Sequence, residues 1–139
     1  MKLFKITILI IFFFTSNVMS KNEHFNEGLL LYEQKKLDEA KFKFEQDLVL
    51  NPKNEKTYLY LSKIFNDQNK KKLEEKNLNT VILLNPKNEE ATYNLAKLKL
   101  EQSNYSESKK MIDRLLIFCK TNCKKSKQLK IEIEKSLQK

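Results

Sequence analysis

The sequence contains very little that would break a helix. Its 139 residues include one glycine, Gly28, two prolines, Pro52 and Pro86, and no tryptophan, whereas leucine, lysine, glutamate and asparagine are abundant. Turn-rich β-proteins depend on glycine and proline, so their scarcity favours long helices. The length is that of about one domain and leaves no room for a second globular domain. We therefore predict an all-α protein.

Residues that perform catalysis or hold cofactors are also scarce. The single histidine, His24, stands near the start of the chain, where we expect a surface or helix-packing role. The sequence has no glycine-rich phosphate loop, no cluster with metal-ligand spacing and no Ser-His-Asp ordering. Helix starts and solvated faces account for the carboxylate pairs Glu74-Glu75 and Glu89-Glu90. The sequence thus predicts a protein that is not an enzyme and uses no cofactor or metal.

Residues 1–20 have the composition of a secretory signal. Two lysines precede an apolar run from Ile6 to Phe14, and a polar stretch then ends at Ser20. The apolar run is shorter than the roughly 20 residues of a membrane-spanning helix. We therefore expect cleavage after Ser20 and export to the periplasm or cell envelope. If the segment is retained, it would instead anchor the chain in a membrane.

The charge balance is strongly basic, with 27 Lys and Arg against 18 Asp and Glu and a net charge of +9. Removal of residues 1–20 takes away two lysines and no acid, which leaves +7. Most lysines are interspersed with acids, as on solvated helix faces. An alternative hypothesis is a basic surface that binds anionic lipid or cell-wall polymer. Its lysines would be Lys70, Lys71, Lys72, Lys124, Lys125, Lys127 and Lys130. Nucleic acid is not an expected partner of an exported protein.

An internal repeat organises the chain. The tetrapeptide Asn-Pro-Lys-Asn occupies positions 51–54 and recurs at positions 85–88, and we call the spacing between the two copies the repeat interval. Proline ends a helix because it lacks an N–H donor, and the residue before it is pushed out of the helical region. Asparagine at the fourth position suits the N-cap of the next helix. Each copy therefore predicts a helix stop followed by a helix start.

Between these stops the apolar residues recur at helical spacing in pairs of segments, each pair with a short polar break. The sequence predicts three helical hairpins and a last amphipathic helix whose stripe is Leu129, Ile133 and Leu137. The predicted divisions are 21–54, 55–88 and 89–122 for the hairpins and 123–139 for the last helix.

These features resemble the tetratricopeptide repeat family, whose unit of about 34 residues equals the repeat interval. The first hairpin matches best, because small, large apolar and proline residues stand where the family prefers them: Gly28, Leu31, Ala40, Phe44 and Pro52. The corresponding residues are Ser62, Phe65, Glu74, Leu78 and Pro86, and then Ala96, Lys99, Ser108, Ile112 and Lys120. Glu74 and Lys99 depart from the pattern. The resemblance covers residues 21–122 and implies an α-solenoid of three hairpins, with residues 123–139 as its capping helix.

The resemblance also implies a non-catalytic scaffold that binds a peptide or helix of another protein in a groove lined by the first helix of each hairpin. The corresponding residues are Phe25, Leu29, Tyr32, Leu59, Lys63, Asn66, Tyr93, Lys97 and Leu100. Lys63 and Lys97 would meet a carboxylate or an acidic segment. Alternatively, the aromatic and aliphatic members belong to the hairpin cores. A capped solenoid is expected to be a monomer, and a subunit that stacks end to end is the alternative.

Cys119 and Cys123 stand four positions apart at the junction with the predicted capping helix. An even pair of cysteines in an oxidising compartment is a disulfide candidate. On a helix their Cα atoms would lie about 6 Å apart, within the permitted span, although the side-chain geometry requires an irregular junction. Free cysteines are the alternative, and metal or redox chemistry lacks the usual Cys-x-x-Cys spacing.

Overall fold

The computed structural model describes residues 23–138 of the chain, so the predicted signal segment, residues 1–20, lies outside the described residues. The described part contains seven α-helices and no strand, which confirms the all-α prediction. The helices are α1 (Glu23–Glu33), α2 (Leu37–Leu50), α3 (Glu55–Asp67), α4 (Lys71–Leu84), α5 (Glu89–Glu101), α6 (Tyr105–Phe118) and α7 (Cys123–Leu137). Within residues 23–138, every helix is too short or too polar to cross a membrane.

The helices follow the repeat interval without drift. The second helix of each hairpin begins at Leu37, Lys71 and Tyr105, and these helices end at Leu50, Leu84 and Phe118. Each of these two series advances by the same interval that separates the two tetrapeptides. The departures at Glu74 and Lys99 therefore leave the helix register unchanged.

The turns inside the hairpins share one backbone geometry. Lys35, Asn69 and Ser103 have positive φ angles of 62°, 54° and 59°, and they too are separated by the repeat interval. In each turn, the amide of the next residue donates to a carbonyl five positions back, as Lys36 does to Leu31. This is the bond pattern of a helix C-terminus that ends in a left-handed residue. Such turns favour glycine, and none of the three residues here is glycine.

The described residues divide into two compact units, 23–54 and 55–138. In the first unit, α1 packs against α2 where both helices carry small residues, Gly28 and Ala40. Phe44 is fully buried at this crossing, and a Cβ atom added to Gly28 would lie 2.7 Å from the Phe44 ring. The glycine is therefore needed to admit the phenylalanine.

The first copy of the repeated tetrapeptide is held by a buried carboxylate. Asp47, near the end of α2, is only 1% exposed. It accepts hydrogen bonds from the side-chain amides of Asn51 at 2.9 Å and Asn54 at 2.8 Å. These two bonds fix the reversal of the chain after α2, and they compensate the burial of the charge.

The second unit has two hydrophobic clusters. The first joins α3, α4 and α5 through Leu59, Leu78, Val81, Ala91, Leu95 and Leu98. The second joins α5, α6 and α7 through Ala96, Ile112, Leu115, Leu129 and Ile133. Two of the three residues in the predicted stripe of the last helix are thus buried, whereas Leu137 remains 46% exposed. The helix covers the third hairpin through this buried part of its stripe.

The junction between α6 and α7 is held in two ways. A disulfide joins Cys119 and Cys123, whose Cα atoms are 5.4 Å apart, and the segment between the helices is not helical. The Glu89 carboxylate, at the start of α5, accepts the backbone amides of residues 120, 121 and 122 at 2.7 to 3.1 Å. It also accepts the hydroxyl of Thr121 at 2.9 Å. Glu89 therefore does not simply face solvent, as the sequence had led us to expect.

Candidate partner-binding site

The groove residues predicted on α1 are only partly available. Phe25 is half-buried, and its ring centroid lies 5.8 Å from that of Phe44, in a tilted arrangement. Leu29 and Tyr32 are also half-buried, and the Lys35 ammonium lies 5.8 Å from the centre of the Tyr32 ring. Phe25 therefore belongs in large part to the core of the first hairpin, and Leu29 and Tyr32 offer the remaining surface.

One of the three groove residues predicted on α3 requires a correction. Leu59 is 8% exposed and lies in the first hydrophobic cluster of the second unit, so it is a core residue. The Lys63 ammonium lies 2.8 Å from a Glu90 carboxylate oxygen and 4.6 Å from the centre of the Tyr60 ring. A partner carboxylate would have to displace Glu90. Of the three residues predicted on α3, only Asn66 is exposed, because α3 is covered on its apolar side by α4 and α5.

The three residues predicted on α5 lie together in an open cavity. Tyr93, Lys97 and Leu100 line a space of about 400 Å³ between α5 and α7. The rest of the lining is Glu101, Tyr105, Leu129, Glu132 and Ser136. Because the space has a volume in the range of small-ligand and side-chain pockets, it can accept one or two side chains of a peptide.

The cavity combines aromatic and aliphatic walls with charges of both signs. The Lys97 side chain is 56% exposed, and its ammonium lies 3.8 Å from Glu101, which also faces Lys71 at 3.4 Å. On the other wall, the Lys125 ammonium lies 4.3 Å from the centre of the Tyr93 ring. Burial, and then the negative charge of Glu132, raise the pKa of the Tyr93 hydroxyl. The phenol therefore stays protonated and able to donate a hydrogen bond.

A buried acid lies beside this site. Glu74 on α4 is only 7% exposed, so the prediction that it lies on a solvated face is wrong. Its burial first, and the nearby charge of Glu101 second, raise its pKa to about 7, against the opposing effect of Lys71 and Lys97. The reason is positional, because Glu74 stands where the first hairpin has the fully buried Ala40.

The sequence did not predict the contribution of α7 to the cavity. The amphipathic stripe identified Leu129 as a packing residue, and Leu129 does form part of the cavity floor. Glu132 and Ser136 carry no pattern that would separate them from other polar residues of α7. The sequence feature that could have pointed to this region is the acid at position 74, because a carboxylate at a position where the family prefers a small residue indicates an unusual environment.

Metal ligation has no support among the residues that the structure describes. No group of three or more His, Cys, Asp or Glu side chains in residues 23–138 is arranged to hold a metal ion. The site is instead built from aromatic, aliphatic and oppositely charged groups, which suit contacts with a polypeptide.

Helical hairpins of constant length, small residues at the helix crossings and a last helix over the third hairpin define a helical-repeat protein. The sequence model of the tetratricopeptide repeat matches residues 22–54, which contain the hairpin with the strongest resemblance in sequence. No curated protein matches the chain at a significant level.

Solved structures extend the likeness to most of the chain. The first tetratricopeptide domain of Spaghetti (RPAP3), bound to an HSP90 peptide, is 18% identical, with a TM-score of 0.77 over 86% of this chain and 97% of that domain. The TPR2B domain of yeast Sti1, in a complex with pHsp70, is 13% identical, with a TM-score of 0.77 over 84% and 98% of the two chains. The Yersinia enterocolitica secretion chaperone SycD, bound to a peptide of the translocator YopD, is 15% identical. Its TM-score is 0.70 over 88% of this chain and 95% of that one.

Residues 22–54 therefore match the sequence model of the tetratricopeptide repeat family, and the chain has the fold of tetratricopeptide domains.

Proposed function

We propose that this protein is a non-catalytic interaction module that binds a peptide or helix of a partner protein. The observation that carries the proposal is the cavity between α5 and α7, where Tyr93, Lys97 and Leu100 converge. Solved relatives by fold include proteins bound to peptides of HSP90 and of the translocator YopD. The partner segment would place an apolar or aromatic side chain between Tyr93 and Leu129, with a carboxylate near the exposed Lys97.

Site-specific photo-crosslinking in the producing cell tests this proposal. A photoreactive amino acid would replace Lys97 or Ser136 in the cavity and, as the matched control, Lys87, which is exposed in the loop before α5. We expect a discrete crosslinked protein from positions 97 and 136 and none from position 87. The same product from all three positions, or no product from either cavity position, would contradict the proposal.

A charge-reversal experiment tests whether Lys97 contributes to partner binding at this site. Lys97→Glu reverses the charge of an exposed side chain at the mouth of the cavity, whereas Lys87→Glu makes the same charge change elsewhere on the surface. We expect the crosslink from position 136 to disappear in the Lys97→Glu variant and to persist in the Lys87→Glu variant. Persistence in both variants would show that Lys97 has no part in the site.

We also propose that the chain is exported, with residues 1–20 removed. The support is the signal-like segment in the sequence, together with a disulfide between Cys119 and Cys123, which is the usual state of a cysteine pair in an oxidising compartment. Mass spectrometry of the protein recovered from the cell envelope would give a mass that begins at Lys21. A mass that includes Met1, in a protein that sediments with membranes, would favour the anchored alternative.

A further inference from the structure

The outer faces of α2 and α4 carry exposed stripes at the same positions of the repeat. On α2 the stripe is Asp38, Phe42, Glu45 and Val49, and all four residues are exposed. On α4 it is Lys72, Lys76, Asn79 and Leu83, each one repeat interval later and also exposed. Steps of four, three and four positions place each set along one side of its helix. We name them the acidic stripe and the basic stripe.

The two stripes differ in the sign of their charge and agree in ending on an aliphatic residue. The exposed residues of α2 include three acids and no cation, while those of α4 include two lysines and no acid. Val49 and Leu83 are each 81% exposed, and Phe42 is 56% exposed. Scattered single apolar residues are normal on a protein surface. Here Val49 and Leu83 stand at the same repeat position, and the charges that accompany them are complementary between the two helices.

The charge difference extends to the whole of each unit. Residues 23–54 contain five lysines and seven acids, a net charge of −2, whereas residues 55–138 contain eighteen Lys and Arg and eleven acids, a net charge of +7. The first unit of one molecule is therefore attracted to the second unit of another, although the chain as a whole is basic.

We propose that the acidic stripe on α2 of one molecule binds the basic stripe on α4 of a second copy of this chain. The two helices run parallel, so that Asp38 lies opposite Lys72 and Val49 lies opposite Leu83. In the antiparallel arrangement Glu45 would face Lys76, but Asp38 would face Leu83 and Val49 would face Lys72, so the aliphatic ends of the stripes would not meet. The contact between Val49 and Leu83 thus favours the parallel direction.

The corresponding stripe of α6 is a poorer match for the acidic stripe. The residue in α6 that corresponds to Glu45 is Asp113, a like charge, whereas in α4 it is Asn79, whose amide can donate to a carboxylate. The residue that corresponds to Asp38 is Ser106, so the lysine opposite Asp38 is also missing there. The second copy is therefore expected on α4.

An anionic lipid surface would explain fewer of the exposed residues of the two stripes than a second copy of the chain does. It would attract the lysines of α4, but it would repel the three exposed acids of α2 and leave exposed Phe42 and Val49 without a role. A second copy uses both stripes. Because the two stripes are different surfaces, the contact is heterologous, and each molecule in a pair retains one unused stripe unless the assembly closes.

Sedimentation velocity on protein expressed from the full 139-residue sequence tests the proposal first. We expect masses above one chain that increase with concentration, with a Kd on the order of 10 µM for so small a contact. The association should weaken with added salt, because exposed charges are screened within about 8 Å at physiological ionic strength. A mass of one chain at every concentration and salt would overturn the proposal.

Charge reversal then identifies the surfaces. Lys72→Glu with Lys76→Glu, and separately Asp38→Lys with Glu45→Lys, should each raise the Kd by at least about tenfold. An equimolar mixture of these two variants should associate again, since the first retains the acidic stripe and the second the basic stripe. Lys110→Glu with Lys124→Glu makes the same change of charge away from α4 and should alter the Kd by less than about twofold.

Two outcomes of this second experiment would overturn the proposal. One is a mixture that stays as separate chains, and the other is a control variant that weakens association as much as the α4 variant does. Vesicles of phosphatidylglycerol complete the test. Vesicle binding by a protein that remains one chain in solution, lost on reversal of Lys72 and Lys76, would assign the basic stripe to lipid instead.

Discussion

The two copies of the Asn-Pro-Lys-Asn tetrapeptide turn the chain in the same way but are held by different side chains. In the first unit, Asn51 and Asn54 both donate to the buried Asp47. In the second unit the position of Asp47 is taken by Val81, which is fully buried in the apolar cluster. Asn85 there donates to Glu55 at 3.1 Å instead, and Asn88 caps α5 by accepting the amide of Ala91 at 2.9 Å.

This difference shows which features the two copies of the repeat share and which features vary between them. The proline and the apolar spacing recur and place the helices, whereas the polar partners of the asparagines change between the copies. A polar group needs some partner, and the fold does not require a particular one. The same holds at the helix crossings, where Gly28 faces Phe44 while Ser62 and Ala96 stand at the corresponding positions with Leu78 and Ile112.

Substitution of Gly28 would test the first of these pairings and should have the largest effect. A Cβ atom at position 28 would lie 2.7 Å from the ring of Phe44, which is fully buried, so the ring would have to shift. We expect Gly28→Ala to lower the free energy of unfolding by about 2 kcal/mol, because overpacking outweighs the gain in helix propensity. Urea denaturation would measure the change.

The pairing becomes testable when Phe44 is also changed. The second hairpin combines Ser62 with Leu78, so the double variant Gly28→Ala with Phe44→Leu should lose about 1 kcal/mol less than the sum of the single variants. An additive result would mean that the crossing of α1 and α2 relaxes freely, and that Gly28 is not required by the ring.

Glu74 gives the second prediction, which depends on pH. The pKa of this acid is raised to about 7 in the folded protein, from an ordinary value of 4.5. The folded state therefore holds the proton more tightly, and its stability decreases as the pH rises from about 4.5 to above 7. We expect Glu74→Gln to raise the free energy of unfolding by about 1 to 2 kcal/mol at pH 8, with little effect at pH 4.

The adjacent residue provides a control of opposite sign. Glu75 accepts a hydrogen bond from Lys99 at 2.6 Å, and this contact holds its pKa below the ordinary value. Its contribution is present above pH 4.5 and decreases as the pH falls toward the lowered value. Glu75→Gln should therefore destabilise the protein at neutral pH. Equal pH profiles for the two variants would contradict the burial argument for Glu74.

The sequence could predict the features that depend on local pattern and not those that depend on side-chain surroundings. The repeat interval predicted the helices, because proline and apolar periodicity act within a few residues. The resemblance to the repeat family implied that Tyr93, Lys97 and Leu100 lie on a groove surface, but it put Leu59 there too, since corresponding positions need not have equal burial. The contacts of Glu89 with residues 120–122 join the start of α5 to the segment between α6 and α7, and no periodic signal marks such a distant pair.

The three hairpin turns provide a third and smaller test. Lys35 and Ser103 adopt positive φ angles, which cost a residue with a Cβ atom about 1 kcal/mol. Lys35→Gly and Ser103→Gly should each raise the free energy of unfolding by up to about 1 kcal/mol. Asn69→Gly should have a smaller effect, because asparagine tolerates the left-handed region. Thermal denaturation of the three variants would rank the turns, and the absence of any gain in Lys35→Gly and Ser103→Gly would rule out the backbone explanation.

The smallest effect is expected at the junction between α6 and α7, where only local exchange should change. Hydrogen bonds, first that from the Asn122 amide, lower the pKa of Glu89 to about 2 despite an opposing effect of burial. The contribution of these bonds is thus present above pH 4.5 and is lost as the pH falls toward 2. Glu89→Gln should speed amide exchange at residues 120–122 at neutral pH. Glu90→Gln, whose carboxylate faces Lys63 instead, should leave those amides unchanged.

Reduction of the disulfide sharpens this last prediction. In the unsubstituted protein, Glu89 still holds residues 120–122 when the bond between Cys119 and Cys123 is broken, so exchange should rise only slightly. In reduced Glu89→Gln both restraints are weakened together, and the increase should exceed the sum of the separate effects, because two constraints on one loop are coupled. Complete loss of protection on reduction alone would mean that the disulfide, and not the carboxylate, holds α7 against the third hairpin.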